Sequence, residues 1–546
     1  MAISHEVKPQ YDAVVIGAGL SGMYQLYKLR ELGLNVLGIE AAEDIGGTWN
    51  FNRYPGCRFD SESYTYSYSF IDKLLEEWNW SEHFASQPEI LRYFRAAADK
   101  MDIRKNFRFG TRVTKTQFDE EANTWHVMFE GGESVTCRFL LSAVGPLSAP
   151  TWPSIEGLNR FAGESYHTYY WPHADEGEGG KKVNFEGKRV AVIGTGATGI
   201  QVIQEVAKEA GELLVFQRNP NWAVPLLNSK IDMAEMNRIK VNYRDIFERC
   251  NASHTGHMYR NVRESALQVS PEERKAFWEK LYAQPGYAIW IGNYRDVLRD
   301  KEANQLMSDF VADKIRERVN DPKVAEKLIP KNHGFGLKRL PMEDGYFEVY
   351  NQPNVTLVDI KETPIQFVSE NGIQTTDKFY DIDILICATG FDAVTGSILR
   401  MDIVGRDGVS LKEVWRDGPE TYLGLQVNGF PNFFTILGAH NGATFCNIPR
   451  CAESQINWLT DMIEYLHTND IRYVEPTKKA QSEWTELVYE VANQTLFTDV
   501  RSWFNGDNSN IEKRPRKFLL WAGGNIAYKQ KCEEVESAGY AGFDLR

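Results

Sequence analysis

The chain has 546 residues, 42% hydrophobic and 25% charged, the balance of an ordinary globular protein long enough for about three or four domains. Its 61 basic and 75 acidic residues leave a net charge of −14, which excludes a broad nucleic-acid footprint and suits small molecules. No apolar run approaches the roughly 18 residues of a membrane span, and the polar stretch Met1 to Gln10 lacks a signal-peptide core, so a cytoplasmic protein without membrane contact is expected.

Tyr11 to Ile16 is a β-branched run that predicts a buried strand. Gly17 to Gly22 turns the chain, Met23 to Leu32 has helical spacing, and Val36 to Glu40 is the next strand, giving a βαβ opening. Gly17, Gly19 and Gly22 form G-x-G-x-x-G. The first glycine permits the tight turn, the second lets backbone approach a pyrophosphate, and the third lets helix and strand pack closely. The helix N-terminus then faces negative phosphates. Glu40 stands about 20 residues further on, where an acid accepts hydrogen bonds from ribose hydroxyls. An N-terminal site of this kind suits FAD. Gly46-Gly47-Thr48-Trp49 and Tyr54-Pro55-Gly56 follow, a loop that can wrap an isoalloxazine or serve structure alone.

The prolines at 146, 150 and 153 mark a domain exit. The βαβ pattern returns with the strand Arg189 to Ile193, the turn Gly194, Gly196 and Gly199, the helix Ile200 to Ala210 and the strand Leu213 to Gln217. Gln217 and Arg218 stand where an acid is expected. An acid would repel a 2′-phosphate, whereas Arg218 can grip one bidentately, so the second nucleotide reads as NADPH; the alternative is a surface ion pair. Residues 228–328 are rich in charge and helix formers, with helical spacing over Glu272 to Leu281 and Asp309 to Val319. They read as a helical insertion forming a solvated cap. Lys338 and Arg339 follow a glycine-rich loop and can reach an anionic cofactor or form a solvated basic pair. Tyr380 to Cys387 is an apolar strand ending at Ala388-Thr389-Gly390, read as the return to the first domain. The seven cysteines, at 57, 137, 250, 387, 446, 451 and 532, show no metal-ligand spacing and read as reduced packing thiols, so no metal is expected. The fold class is therefore α/β: two Rossmann-like dinucleotide-binding domains, for FAD and NADP, with a helical insertion in the second. The expected boundaries are 1–147 for the first part of the FAD domain and 148–225 for the first part of the NADP domain. The insertion covers 226–330, the rest of the NADP domain 331–380, and the rest of the FAD domain 381–546.

Phe161, Gly163, His167, Trp171 and Pro172 stand in the spacing F-x-G-x-x-x-H-x-x-x-W-P, just before the second glycine motif. This run resembles the fingerprint of the Baeyer–Villiger monooxygenases residue for residue. Gly46, Gly47, Trp49, Tyr54, Pro55, Gly56 and Asp60 resemble that family's longer signature, and Ala388-Thr389-Gly390 a late motif of two-domain flavin monooxygenases. The resemblance runs from about Asp12 to about Trp503. N- and S-oxygenating flavin monooxygenases share both glycine motifs but usually lack the Trp-Pro ending, and they are the alternative reading, with a non-catalytic nucleotide-binding module behind them. Disulfide reductases need a cysteine pair near the flavin, and Cys57 is alone in its region.

The resemblance implies that NADPH reduces FAD, that oxygen adds as a flavin peroxide, and that a ketone becomes an ester or lactone. Arg339 then matches the catalytic arginine and Asp60 the carboxylate that positions it. Lys338 and Arg218 match the residues that hold the 2′-phosphate. Trp503 resembles a late tryptophan on a mobile loop near NADP, and His167 with Trp171 and Pro172 a domain linker. Further FAD contacts are expected from Ser21, Gly47, Thr48, Trp49, Tyr66, Val113 and Ile448, and further NADP contacts from Thr195, Ala197, Thr198, Gln201 and Gln217. The partners are a small ketone and dioxygen, the protein acting as a monomer. Ala439 stands where many relatives have proline, which leaves the shape of the region Gly438 to Ile448 open.

Overall fold

The computed structural model describes residues 8–173, 182–262, 264–441, 446–508, 510–511 and 514–546. Strand β1 (Tyr11–Ile16), helix α1 (Leu20–Glu31) and strand β2 (Val36–Ile39) form the first βαβ unit. β1 is flanked on one side by β2, which pairs with β3 (Phe107–Arg108), and on the other by β6 (Ser134–Ser142). β4 (Val113–Asp119) and β5 (Thr124–Phe129) extend the sheet beyond β6 as antiparallel strands. Ala13, Val14 and Val15 are wholly buried, as expected for a parallel strand covered on both faces.

The second sheet has five parallel strands. Its centre is β8 (Arg189–Ile193), flanked by β9 (Glu212–Gln217) and β11 (Ile384–Cys387), with β10 (Val355–Asp359) and β7 (Glu164–His167) at the edges. Helix α2 (Ala197–Val206) follows the second glycine turn. The strand Ile384–Cys387 was expected to open the return to the first domain, and this is corrected: its register with β8 and β7 places it inside the second sheet. An apolar run reports burial on both faces and carries no information about which sheet buries it. The chain crosses back after it. β12 (Asp402–Val404) pairs with β4, β13 (Phe433–Thr435) pairs with β6, and the long helix α8 (Ile448–Thr468) packs on α1. There the Tyr24 hydroxyl donates to Asn457 at 2.6 Å, and the Gln25 amide to Thr460 at 3.2 Å.

Between β9 and β10 lie α3 (Met233–Asn251), α4 (Pro271–Tyr282), the short α5 (Ala288–Ile291), α6 (Lys301–Arg318) and α7 (Pro322–Leu328). Their starts follow capping rules. Ser270 and Glu273 form a reciprocal capping box at α4, and the Asp300 side chain accepts the Glu302 and Ala303 N–H groups at α6.

Cys446 and Cys451 are joined in a disulfide at the start of α8, which corrects the reading of every cysteine as a reduced thiol. The first turn of α8 brings their Cα atoms to 6.2 Å, within bridging range. The other five cysteines are free and buried. No described helix is long and apolar enough to cross a membrane, and the described residues hold no cluster of metal-ligating side chains.

Candidate active site

The glycine turns build two walls of one cavity. Gly17 has φ +108°, and a Cβ on Gly22 would stand 1.8 Å from the Gly17 carbonyl oxygen, so α1 rests directly on the turn. Gly199 repeats this against Gly194, at 2.1 Å. Gly19 and Gly47 face each other so closely that a Cβ on Gly47 would lie 2.8 Å from the Gly19 Cα. Glu40 is 6% exposed, and its carboxylate accepts from the Ala18 N–H at 2.6 Å and the Ala42 N–H at 2.8 Å. Those bonds fix its orientation and leave lone pairs for a ribose.

The cavity has a volume of about 2050 Å³, roughly twice the upper size of an ordinary small-molecule pocket. Gly17, Gly19, Ser21, Glu40, Gly47, Thr48, Trp49, Asp60, Tyr66 and Val113 line it from the first unit. Thr195, Gly196, Ala197, Thr198, Gln201 and Arg218 line it from the second, and Lys338, Arg339, Ile448 and Trp503 complete the expected set. Gly22, Gly194 and Gly199 stay behind the wall, consistent with their packing role. Gln217 is corrected: it does not reach the cavity, because its buried amide donates to the Lys327 carbonyl at 2.7 Å and ties β9 to the insertion.

Arg339 and Asp60 meet on the cavity wall. Arg339 Nη2 lies 2.9 Å from Asp60 Oδ2, with side-chain exposures of 29% and 5%. Nη1 donates to the Leu340 carbonyl, and the guanidinium sits 5.3 Å over the Tyr287 ring. The Tyr287 hydroxyl donates to the same Asp60 oxygen at 3.4 Å. Burial raises the Asp60 carboxyl while the Arg339 charge opposes it. For Arg339 burial acts against the charge, but Tyr287 and Asp60 outweigh it and hold the guanidinium above its ordinary range. The cation is therefore permanent.

His257 packs edge-on against Tyr287, ring centroids 5.4 Å apart, and is buried and neutral: burial first, then the Arg339 charge, holds it down to about 3. Tyr287 and His257 come from the segment read as a solvated cap, so that reading is corrected for its inner face. The available signal was the run Gly286-Tyr287-Ala288-Ile289-Trp290, too apolar for a solvated turn.

Arg218 is exposed and makes no ion pair among the described residues. Lys338 is half-buried, and burial holds its ammonium below the ordinary range; Asp507 opposes this, Arg218 adds to it. Two neighbouring cations that make no ion pair among the described residues fit a phosphate. Trp503 opens a short helical turn on the cavity wall, stacked edge-on against the buried Phe504 at 4.7 Å.

His167 is 1% exposed, does not line the cavity, and its Nδ1 accepts the Tyr169 N–H at 3.1 Å. Its edge strand belongs to the second sheet, and Trp171 is buried against Tyr166 and Phe185. Burial holds His167 down to about 4. This group is neutral in the folded state and titrates near 6.5 when unfolded, so its contribution to stability is complete above about pH 6.5 and is lost as pH falls toward 4. His167→Asn is expected to flatten the fall in melting temperature over that window and to leave the pH dependence of activity above pH 6.5 unchanged. A shifted activity profile in the variant would instead make His167 a proton carrier. In the region Gly438 to Ile448, residues 442–445 lie outside the described residues; Ala439 is buried, and Cys446 and Ile448 border the cavity.

Residues 11–249 match the family described as FMO-like, flavin-binding monooxygenase-like. The 2-oxo-Delta(3)-4,5,5-trimethylcyclopentenylacetyl-CoA monooxygenase of Pseudomonas putida is 51% identical over 542 residues, 98% of each chain. The cyclohexanone 1,2-monooxygenase of Acinetobacter sp. is 39% identical, over 99% of this chain and 97% of that one. The chain belongs to the Baeyer–Villiger monooxygenase family. The solved structure of OTEMO in complex with FAD and NADP superposes with a TM-score of 0.95 at 51% identity, covering 99% of this chain and 100% of that one. This family member is an FAD- and NADPH-dependent monooxygenase acting on ketones. The glycine cradles, the oriented Glu40 and the Arg218–Lys338 cluster, which makes no ion pair among the described residues, fit both cofactors.

Proposed function

We propose that Arg339, held by Asp60, is the cation at which a ketone, dioxygen, NADPH and a proton become an ester or lactone, water and NADP⁺. When bound, FAD supplies the redox chemistry, accepting hydride from NADPH and activating dioxygen. The supporting observation is the pair of half-buried Arg339 and buried Asp60 on the wall of a cavity that both glycine turns also line. Asp60 and Leu340 each accept from the guanidinium, whose five N–H donors exceed what these contacts use and can meet the carbonyl oxygen as negative charge builds on it. Asp60 and Tyr287 set the plane of the guanidinium and act through it.

The N-termini of α1 and α2 would hold the two pyrophosphates, Glu40 a ribose, and Arg218 with Lys338 the 2′-phosphate. The side chains of Trp49, Tyr66, Val113 and Ile448 would pack the flavin side and exclude water. We keep the expected domain boundaries, except that residues 381–390 join the second nucleotide domain. The acting form is taken as a cytoplasmic monomer. The substrate class we favour is a ring ketone, with the coenzyme A-linked ring ketone of the Pseudomonas putida relative as precedent.

Arg218→Ala tests the cofactor assignment. The Michaelis constant for NADPH should rise about tenfold or more, as for loss of a charge-assisted contact, and that for NADH should barely move. An equal rise for both would reject a 2′-phosphate contact.

A further inference from the structure

Two cations of the cavity wall are claimed by neither nucleotide site. The cavity's acidic side chains are committed within the protein. Glu40 accepts from Ala18 and Ala42, Asp60 pairs with Arg339, and Asp507 pairs with Arg501 at 2.7 Å. Asp296 accepts from the Ser265 hydroxyl and from the Ala266 N–H at 2.9 Å. Among the cations, Arg58 pairs with Glu82 at 3.2 Å, and Arg400 donates to the Pro150 carbonyl at 2.8 Å. Arg112 acts on Glu40 at the first nucleotide site, and Arg218 with Lys338 serves the second. Arg295 and Arg299 remain. Both are exposed on the cavity wall, and neither makes an ion pair among the described residues.

Their placement is built in. After α5 the chain makes one helical turn, closed by the Arg299 and Asp300 N–H groups on the Asp296 carbonyl at 2.9 and 2.8 Å. Tyr294 and Val297 are buried beneath it, while Arg295 and Arg299 are exposed and line the cavity at its two ends. The Leu496 N–H clasps the Leu298 carbonyl at 3.0 Å. Two like charges at this spacing repel each other and persist on an anchored turn.

Two routes tie this turn to the reacting centre. Trp290 of α5 packs against Tyr287 at 5.6 Å, and Tyr287 carries Arg339 over its ring. His257 packs on the same Tyr287, while His254 is held below its ordinary range by the surrounding wall and then by Arg299.

We propose that Arg295 and Arg299 form an anion-binding rim that selects ketones bearing a phosphate- or carboxylate-containing tail while the carbonyl sits at Arg339. This rests on the function proposed above and names its substrate class. Arg295 and Arg299 are exposed whereas Arg339 is half-buried, so the anion lies toward solvent from the carbonyl; this order favours the phosphates of a carrier thioester such as coenzyme A over a short keto acid, whose carboxylate lies only a few bonds from its carbonyl.

The test uses holoenzyme with NADPH and four probes: cyclopentanone, 2-oxocyclopentylacetate, its methyl ester and its coenzyme A thioester. Lactone is quantified for wild type, the Arg295→Ala/Arg299→Ala double variant, and the corresponding double lysine variant. In wild type, kcat/KM for the thioester should exceed that for the methyl ester. Alanines should cut this ratio about tenfold or more, and lysines should restore part of it. If the ratio for the free acid falls and that for the thioester does not, a carboxylate is the ligand and the carrier assignment fails. A ratio indifferent to the arginines, with cyclopentanone still converted, overturns the rim alone. A rise in the Michaelis constant for NADPH in place of a changed ratio reassigns the arginines to the nucleotide and overturns the proposal. No lactone from any ketone in wild type would overturn the oxygenation chemistry itself.

Discussion

Arg339→Ala is expected to leave NADPH oxidation running while ester formation falls about 10²- to 10³-fold, the loss seen when a donor aimed at developing negative charge is removed. In the proposed function the carbonyl oxygen meets the guanidinium of Arg339, which Asp60 and Leu340 anchor on the cavity wall. A second effect must be separated from the first. Asp60 is nearly inaccessible, and stripping a buried carboxylate of its partner costs about 3–5 kcal/mol if it stays ionised. Its carboxyl is already raised by burial, so without Arg339 it can take up a proton and avoid most of that cost. The variant should therefore fold, with modestly lower stability and an added dependence on pH. Arg339→Lys keeps the charge but loses the planar fork that reaches Asp60 and Leu340 together, and should recover only part of the ester yield. Ester by chromatography, NADPH by absorbance and hydrogen peroxide by a coupled assay give the comparison. Normal ester yield from the alanine variant would remove Arg339 from the chemistry.

The parts of the site that could be read from sequence are those where one residue type meets a local backbone demand. Gly17, Gly22, Gly194 and Gly199 are glycines because positive φ or an oxygen within 2.6 Å of a would-be Cβ admits nothing larger, and such demands repeat at fixed spacing. Arg218 was legible because it sits at a fixed distance after a glycine turn. Tyr287 and His257 were not, because helical spacing separates an apolar face from a polar one without saying what the apolar face covers. Gln217 failed for a related reason. Its position at the end of β9 is set by the motif, but its side chain turns to Lys327 on an insertion that the motif does not describe. Ile384–Cys387 shows the same limit for strands, since every one of its side chains is buried and either sheet could have accepted it.

Gly196 and Gly199 separate the cofactor from the fold. A Cβ on Gly199 would stand 2.1 Å from the Gly194 carbonyl oxygen, a backbone atom that can yield only if α2 lifts off its turn. Gly199→Ala should therefore destabilise by about 1–3 kcal/mol or more, by overpacking, and lower the melting temperature with or without nucleotide. A Cβ on Gly196 meets no protein atom within 4 Å, and the residue's backbone lies in an ordinary extended conformation at the N-terminus of α2. Gly196→Ala should melt like the wild type in the absence of NADPH. The open space beside it is where a pyrophosphate must approach the backbone, so a methyl group there should raise the Michaelis constant for NADPH at least tenfold and abolish most stabilisation by NADP⁺. The same protein should keep its yellow colour, since Gly19 and the first turn are untouched. Thermal shift with and without NADP⁺, alongside steady-state kinetics, distinguishes the two variants. If Gly196→Ala bound NADPH as well as wild type did, the second glycine turn would not be a pyrophosphate site.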